Sequence, residues 1–215
     1  MASHKNWSDD YWLLLLQIYL RKPVGVKPTY SKVLVRLSLD IHVHPKELHE
    51  RMRQIARLET PRLERIWNTF ADNPRKLTRA VKLLRAMSGF GNAEEFYQGV
   101  EVNETFERDF RPIEEQPNMM PIMLTLILDL YFRLTPQTMV AETPEVADLA
   151  RTMKIPVADV VEALDVFQHC DPFLNRQDVT FSPLLLACQE TWERYGNIDP
   201  NQLARYADEL KAYFA

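Results

Sequence analysis

The sequence predicts an all-α protein made of two tandem, internally duplicated five-helix units, each containing a helix-turn-helix-like pair. Three observations lead there. Glycine is scarce, five in 215 residues, which argues against a turn-rich β fold or a phosphate-cradling loop. Prolines follow capping residues at Thr60-Pro61, Asn73-Pro74, Thr143-Pro144, Ser182-Pro183 and Asp199-Pro200, the places where helices open. Finally, the stretch from Leu37 to Thr60, LSLDIHVHPKELHERMRQIARLET, is written again from Leu149 to Pro172, LARTMKIPVADVVEALDVFQHCDP, 112 positions later. Leu37, Ser38, Val43, Leu48 and Met52 match Leu149, Ala150, Ile155, Val160 and Leu164. Small, branched and apolar residues in that order are what two short helices need to cross steeply through a tight turn.

The first helix opens at Ser8, with Asp9 and Asp10 in its first turn, and runs YWLLLLQIYLR, apolar nearly all round and therefore buried on most sides. KPVGVKP, residues 22–28, reads as a loop. Helices follow over about Tyr30 to Asp40 and Pro45 to Leu58. Another begins at Thr60-Pro61, carrying Trp67 and Phe70, and a fifth runs from Asn73-Pro74 to about Met87. Met119 to Arg133 is again nearly all apolar and ends LYFR, where the first helix ends IYLR. Helices then open at Thr143-Pro144, Pro156, Ser182-Pro183 and Asp199-Pro200, and Trp192 and Tyr195 stand where Trp67 and Phe70 stood. The offset grows from 112 to 125, which places an insertion around Phe173 to Phe181. The expected organisation is a basic first unit over 1–88, an acidic and aromatic connector over 89–118, and an acidic second unit over 119–215. The apolar runs Trp12 to Leu16 and Met119 to Leu128 fall short of the ~18 residues a membrane span needs.

Charge is divided unevenly. Residues 1–90 hold 17 Lys and Arg against 8 Asp and Glu, whereas the rest of the chain is strongly acidic, so the formal net charge of −4 hides two opposite halves. Such asymmetry points to a nucleic-acid-facing half or to halves that attract one another. The connector acids Glu94, Glu95, Glu101, Glu104, Glu107 and Asp109 read as a solvated run that could lie on the basic face and compete with phosphate. Cys170 and Cys188 are too few for a disulfide framework and read as buried free thiols. The opening MASHKNWSDD has no apolar core or cleavage site, so a cytoplasmic chain is expected.

Neither a nucleophile elbow nor HExxH, CxxC or a paired-carboxylate motif occurs, so the motifs offer no enzyme and no cofactor. His42, His44 and His49 invite a metal reading, but His42 and His44 flank an inward Val43, and Lys154, Pro156 and Val161 hold these places in the second copy. The better lead is double-stranded DNA. In a DNA-reading pair the exposed side of the second helix enters the major groove while flanking cations hold phosphates. The candidates are His44, Lys46, His49, Arg53 and Arg57, with Arg75, Arg79 and Lys82 at helical spacing on the fifth helix. The second copy presents Glu162 and Asp165, which phosphate would repel. The alternative is a protein-interaction scaffold, binding another protein or itself, in which the helix-turn-helix geometry is purely structural.

WSDDYWLLLLQIYLR, the turn L-x-L-x-I-x-V, QIARLETP and WNTFADNP together resemble the helical domain N-terminal to some HNH-type restriction endonucleases. In the second copy Leu128, Asp129, Leu130, Tyr131, Arg133, Val166, Phe167, Asp171 and Pro172 carry the likeness. The resemblance implies a helix-turn-helix-like pair near DNA. It implies no cleavage, because no HNH nuclease segment follows. The Arg and Asn residues usual in that module's turn are missing here, which weakens an inherited DNA-reading role.

Overall fold

The computed structural model describes residues 7–91, 106–174, 176 and 181–215. Among these residues the chain is all-helical, with ten α-helices and no strand. They are α1 (Trp12–Tyr19), α2 (Lys32–Ile41), α3 (Pro45–Arg57), α4 (Pro61–Phe70), α5 (Pro74–Arg85), α6 (Pro121–Tyr131), α7 (Pro144–Met153), α8 (Val157–Cys170), α9 (Leu185–Tyr195) and α10 (Pro200–Lys211). No helix among the described residues is long and apolar enough to cross a membrane. The chain divides into two compact units, Met1–Thr105 and Phe106–Ala215.

In the first unit α1 is the central element, with α2, α3, α4 and α5 packed on it. The pattern explains why: Leu14, Leu15, Leu16 and Ile18 face different neighbours, and all are buried. The amphipathic helices close around it. α2 contributes Leu34, Leu37 and Ile41, α3 contributes Leu48, Met52 and Ile55, and α5 contributes Leu77, Val81 and Leu84, each set at helical spacing. The helix starts follow the caps. His44 Nδ1 accepts from Lys46 N at 3.1 Å, Thr60 Oγ1 from Leu63 N at 3.2 Å and Asn73 Oδ1 from Lys76 N at 3.0 Å. In each case proline follows as the first helical residue, where its missing N–H costs nothing.

α2 and α3 are joined through His42, Val43 and His44. His42 turns left-handed (φ 55°), and the chain reverses as Val43 N–H donates to Ser38 O at 3.2 Å. Ser38, expected only as a small residue, also donates its hydroxyl to Val43 O at 2.5 Å in a fully buried setting.

In the second unit α6 is central. Every residue from Ile122 to Tyr131 is buried, and α7, α8, α9 and α10 pack around it. α7 ends as α2 does: Lys154 is left-handed (φ 61°) and Ile155 N–H donates to Ala150 O at 3.1 Å. Of the anchors expected inside, Leu37, Val43, Leu48, Met52, Leu149, Val160 and Leu164 are buried, whereas Ile155 is half-buried. Tyr19 meets Trp67 edge-on at 5.9 Å, and Tyr131 meets Trp192 edge-on at 5.7 Å. The helix expected to open at Ser182-Pro183 starts slightly later. Ser182 Oγ accepts from Leu184 N at 3.1 Å, and the α-helical bonding begins at Leu185.

Two connector acids correct the reading of a solvated run. Glu107 and Asp109 lie in a 3-10 turn, Phe106–Phe110, and both are buried. Asp109 receives a two-pronged bond from Arg194 of α9 (2.6 and 2.9 Å), and Glu107 pairs with Arg111 at 2.9 Å. Arg108 of the same turn pairs with Glu190 of α9. The aromatic character of the segment explains the burial: Phe110 is covered and meets Tyr213 at 5.7 Å, and the adjacent acids find arginines as they are drawn in. Glu94, Glu95, Glu101 and Glu104 lie outside the described residues. Cys188 is buried and Cys170 half-buried, both as free thiols.

Candidate nucleic-acid interface

The eight sequence candidates fall on two helices, α3 and α5, each packed on α1. On α3 most of the polar side chains are already engaged. His44 is the N-cap of the helix, its Nδ1 held by the Lys46 amide. The His49 ring nitrogen Nδ1 lies 2.9 Å from Lys27 O, which ties α3 to the loop over 22–28. The same loop is fixed by Lys27, whose N–H donates to Met52 Sδ and whose ammonium donates to Arg21 O at 2.8 Å and to Pro23 O. Lys27 is buried, and that burial, with the Arg21 guanidinium nearby, lowers its ammonium below the ordinary lysine value.

The α3 arginines are partnered as well. Arg53 lies 3.4 Å from Glu50 and Arg57 3.0 Å from Glu59, both pairs exposed. Arg51 is gripped by Glu47 at 2.6 Å and stacks over the Trp7 ring at 3.9 Å, so it serves the core rather than a partner. The acids Glu47, Glu50 and Glu59 offset most of the positive charge of this face.

α5 is different in kind. PRKLTRAVKLLR carries five cations and no acid. Its buried stripe, Leu77, Val81 and Leu84, fixes the opposite stripe outward, and Arg75, Arg79 and Lys82 are exposed along it. With Pro74 and Thr78 they line a shallow, open depression of about 530 Å³. None of the three forms an ion pair with a described residue. From Arg75 to Lys82 the helix rises ~10 Å, about three steps of the ~3.4 Å per nucleotide along one strand of a duplex. Lys76 turns aside onto the Phe70 ring at 5.2 Å, and Arg85 pairs with Asp40 of α2 at 2.8 Å.

On the second unit the matching positions are not cationic. Asp159 and Glu162 stand on α8, where Glu162 accepts from the Ser182 hydroxyl at 2.7 Å. Burial, then Glu162, raises the Asp159 carboxyl above the ordinary value. Asp165 is paired with Arg176 at 2.7 Å. Among the described residues no three His, Cys, Asp or Glu side chains gather as metal ligands, and His42, His44 and His49 do not converge as one set.

The sequence reading missed one charged site. Arg21, Arg36 and Arg85 come from three separate stretches and meet at the seam between α1 and α2. The available signal was the pairing of two helix faces, Leu14-Gln17-Ile18-Arg21 and Val33-Arg36-Leu37-Asp40, both at spacings of three, one and three. No family model, curated protein or solved structure matches the chain.

Proposed function

We propose that the chain is a non-enzymatic, nucleic-acid-associated binding protein that holds double-stranded DNA through the cationic face of its first unit, with α5 supplying the main phosphate contacts. The observation that carries this reading is the exposed stripe Arg75, Arg79 and Lys82 on a helix with five cations and no acid. Side-chain cations at this spacing neutralise phosphates without reading bases, so the binding is sequence-tolerant and salt-sensitive. The α2–α3 pair serves as the helix-turn-helix element beside it, with Lys46, Arg53 and Arg57 as secondary contacts. This agrees with the resemblance to the helical module that accompanies HNH-type endonucleases. The same reading takes the two units as an internal duplication. Supporting it are the left-handed residues His42 and Lys154, the reversals at Val43 and Ile155, and the Tyr19–Trp67 and Tyr131–Trp192 contacts.

The test uses the full chain and a labelled duplex of about 20 base pairs at low salt. Retention of the duplex, lost when Arg75, Arg79 and Lys82 are all changed to Ala, is the expected result. No retention by the unaltered chain at low salt rejects the reading.

The second reading, a protein-interaction scaffold, is favoured by one observation on the second unit. Phe173 and Phe181 are 92% and 93% exposed, and Leu186 on the start of α9 is 67% exposed. Exposed apolar groups mark a protein contact where they form a contiguous patch, and these three side chains are the candidates for one. Replacing both phenylalanines by Ser should leave duplex retention unchanged and abolish any self-association seen by light scattering.

A further inference from the structure

The seam between α1 and α2 forms a cavity of about 200 Å³ in the first unit. Its floor is apolar, made by Leu14, Ile18, Val33 and Leu37, and its rim carries Arg21, Arg36 and Arg85 with Gln17 and Asp40. Three guanidiniums against one carboxylate leave an excess of two positive charges around a small, partly enclosed space. The excess is not relieved nearby. Arg85 has Asp40 at 2.8 Å, but neither Arg21 nor Arg36 is ion-paired with a described residue. The buried Lys27 ammonium is bonded to the Arg21 carbonyl and so fixes the backbone that carries Arg21.

We propose that this groove binds a phosphate dianion, either free or as the terminal phosphate of a monoester. Charge selects this class. A single carboxylate would leave one of the two excess charges uncompensated, whereas a dianion balances both. Geometry agrees, because planar guanidiniums bond phosphate oxygens in pairs, and Gln17 adds an amide N–H. Size sets an upper bound. The cavity is below the ~300–1,000 Å³ of a site that encloses a drug-sized ligand, so the phosphate is held inside while its ester group projects outward. The Arg85–Asp40 pair is half-exposed on both sides, with 44% and 42% of the side chains accessible. A pair of that kind contributes little by itself, so Arg85 can turn to the ligand. The groove takes Arg85 from α5 but none of Arg75, Arg79 and Lys82, so the proposal does not rest on duplex binding.

The experiment is calorimetric titration of the full chain at constant ionic strength, with inorganic phosphate, a nucleoside 5′-monophosphate, and a short strand with or without a 5′-phosphate. Chloride replaces phosphate in the reference. Saturable phosphate binding is expected, weakened about tenfold or more in Arg36→Gln and Arg21→Gln, the loss of one charge-assisted bond each. Asp40→Asn should tighten binding several-fold by releasing Arg85, which a variant that only damages the fold would not do. Arg205→Gln, on α10 of the second unit, should bind phosphate as the unaltered chain does. Tightest binding by the 5′-phosphorylated strand assigns the site to a nucleic-acid end, and equal binding by inorganic phosphate assigns it to a free anion. Absence of saturation, undiminished affinity in Arg36→Gln, or an equal loss in Arg205→Gln overturns the proposal.

Discussion

The Tyr131 hydroxyl donates to Asp171 Oδ2 at 2.7 Å, joining the last residue of α6 to the residue that caps α8 forty positions later. Asp171 also accepts from Phe173 N at 2.9 Å, so one residue caps a helix through its backbone N–H while its carboxylate anchors the core tyrosine and sets the exit of the following loop. Residue Glu59, 112 positions earlier, pairs with Arg57 instead. Tyr131→Phe keeps the ring contacts with Trp192 and Phe167 and removes only the hydroxyl. Chemical denaturation should show a loss of about 1 kcal/mol. A loss as large as ring deletion would mean the packing had also moved.

The same hydroxyl gives an alkaline prediction. Burial, then the Asp171 bond, raises the Tyr131 phenol above its ordinary value of 10.0, and burial raises the Cys188 thiol above 9.0. Both groups are held neutral in the fold, so their stability contribution is complete below the unfolded values. It is lost as pH climbs from about 9 upward, because only the unfolded chain then releases the protons. Burial pushes Cys170 up to about 11. Alkylation followed residue by residue by mass spectrometry should therefore find Cys170 slow at pH 8 and still accelerating past pH 10, with Cys188 protected throughout. A plateau for Cys170 near pH 9 would contradict this.

Ser38 and Leu48 test the α2–α3 turn from its two sides. Leu48→Ala removes a fully buried side chain and should cost roughly 2–5 kcal/mol. Ser38→Ala leaves the buried Val43 carbonyl without its hydroxyl donor and should cost about 1–3 kcal/mol, although the Val43 N–H bond to Ser38 O survives. Urea melts of the two variants would settle both magnitudes. A neutral Ser38→Ala would mean that the carbonyl finds another donor.

Arg194 and Asp109 make the prediction that sequence could not. Asp109 is 8% exposed and its two oxygens are both taken by Arg194, so Arg194→Ala strands a covered carboxylate. A loss of about 1.5–3 kcal/mol is expected, and Arg194→Ala with Asp109→Ala should recover part of it. Purely additive losses in that double-mutant cycle would remove the pairing as the cause.

What was legible follows from which forces are local. Helix positions were readable because caps, prolines and apolar spacing act over a few residues: Thr60, Asn73 and Asp199 cap where the sequence says they should. Long-range pairing was not readable. Nothing near Asp109 in sequence announces Arg194, eighty-five positions away, and nothing near Arg36 announces Arg21 and Arg85. The partners of the α3 candidates were hidden for a related reason. Helical spacing says which side chains face outward, while His44 caps its own helix and His49 is bound to a loop carbonyl, partners that periodicity does not reveal.

That difference between α3 and α5 supplies the last prediction. If cations on both helices contact a duplex, each neutralised phosphate contributes about −0.9 to the slope of log affinity against log salt. Arg75, Arg79 and Lys82 have no acid on their own helix, so each single Ala variant should weaken binding and flatten the slope by about one. Arg53 and Arg57 must first leave Glu50 and Glu59, and exchanging one anion for another returns little. Their Ala variants should change the slope by well under one. Glu50→Gln and Glu59→Gln should instead strengthen binding, by freeing the arginine and removing a charge that repels phosphate. The measurement is fluorescence anisotropy of one duplex from about 20 to 200 mM salt across all seven variants. Equal slope changes on both helices would place α3 in the interface as fully as α5, and flat slopes in every variant would remove the phosphate-binding reading of this unit.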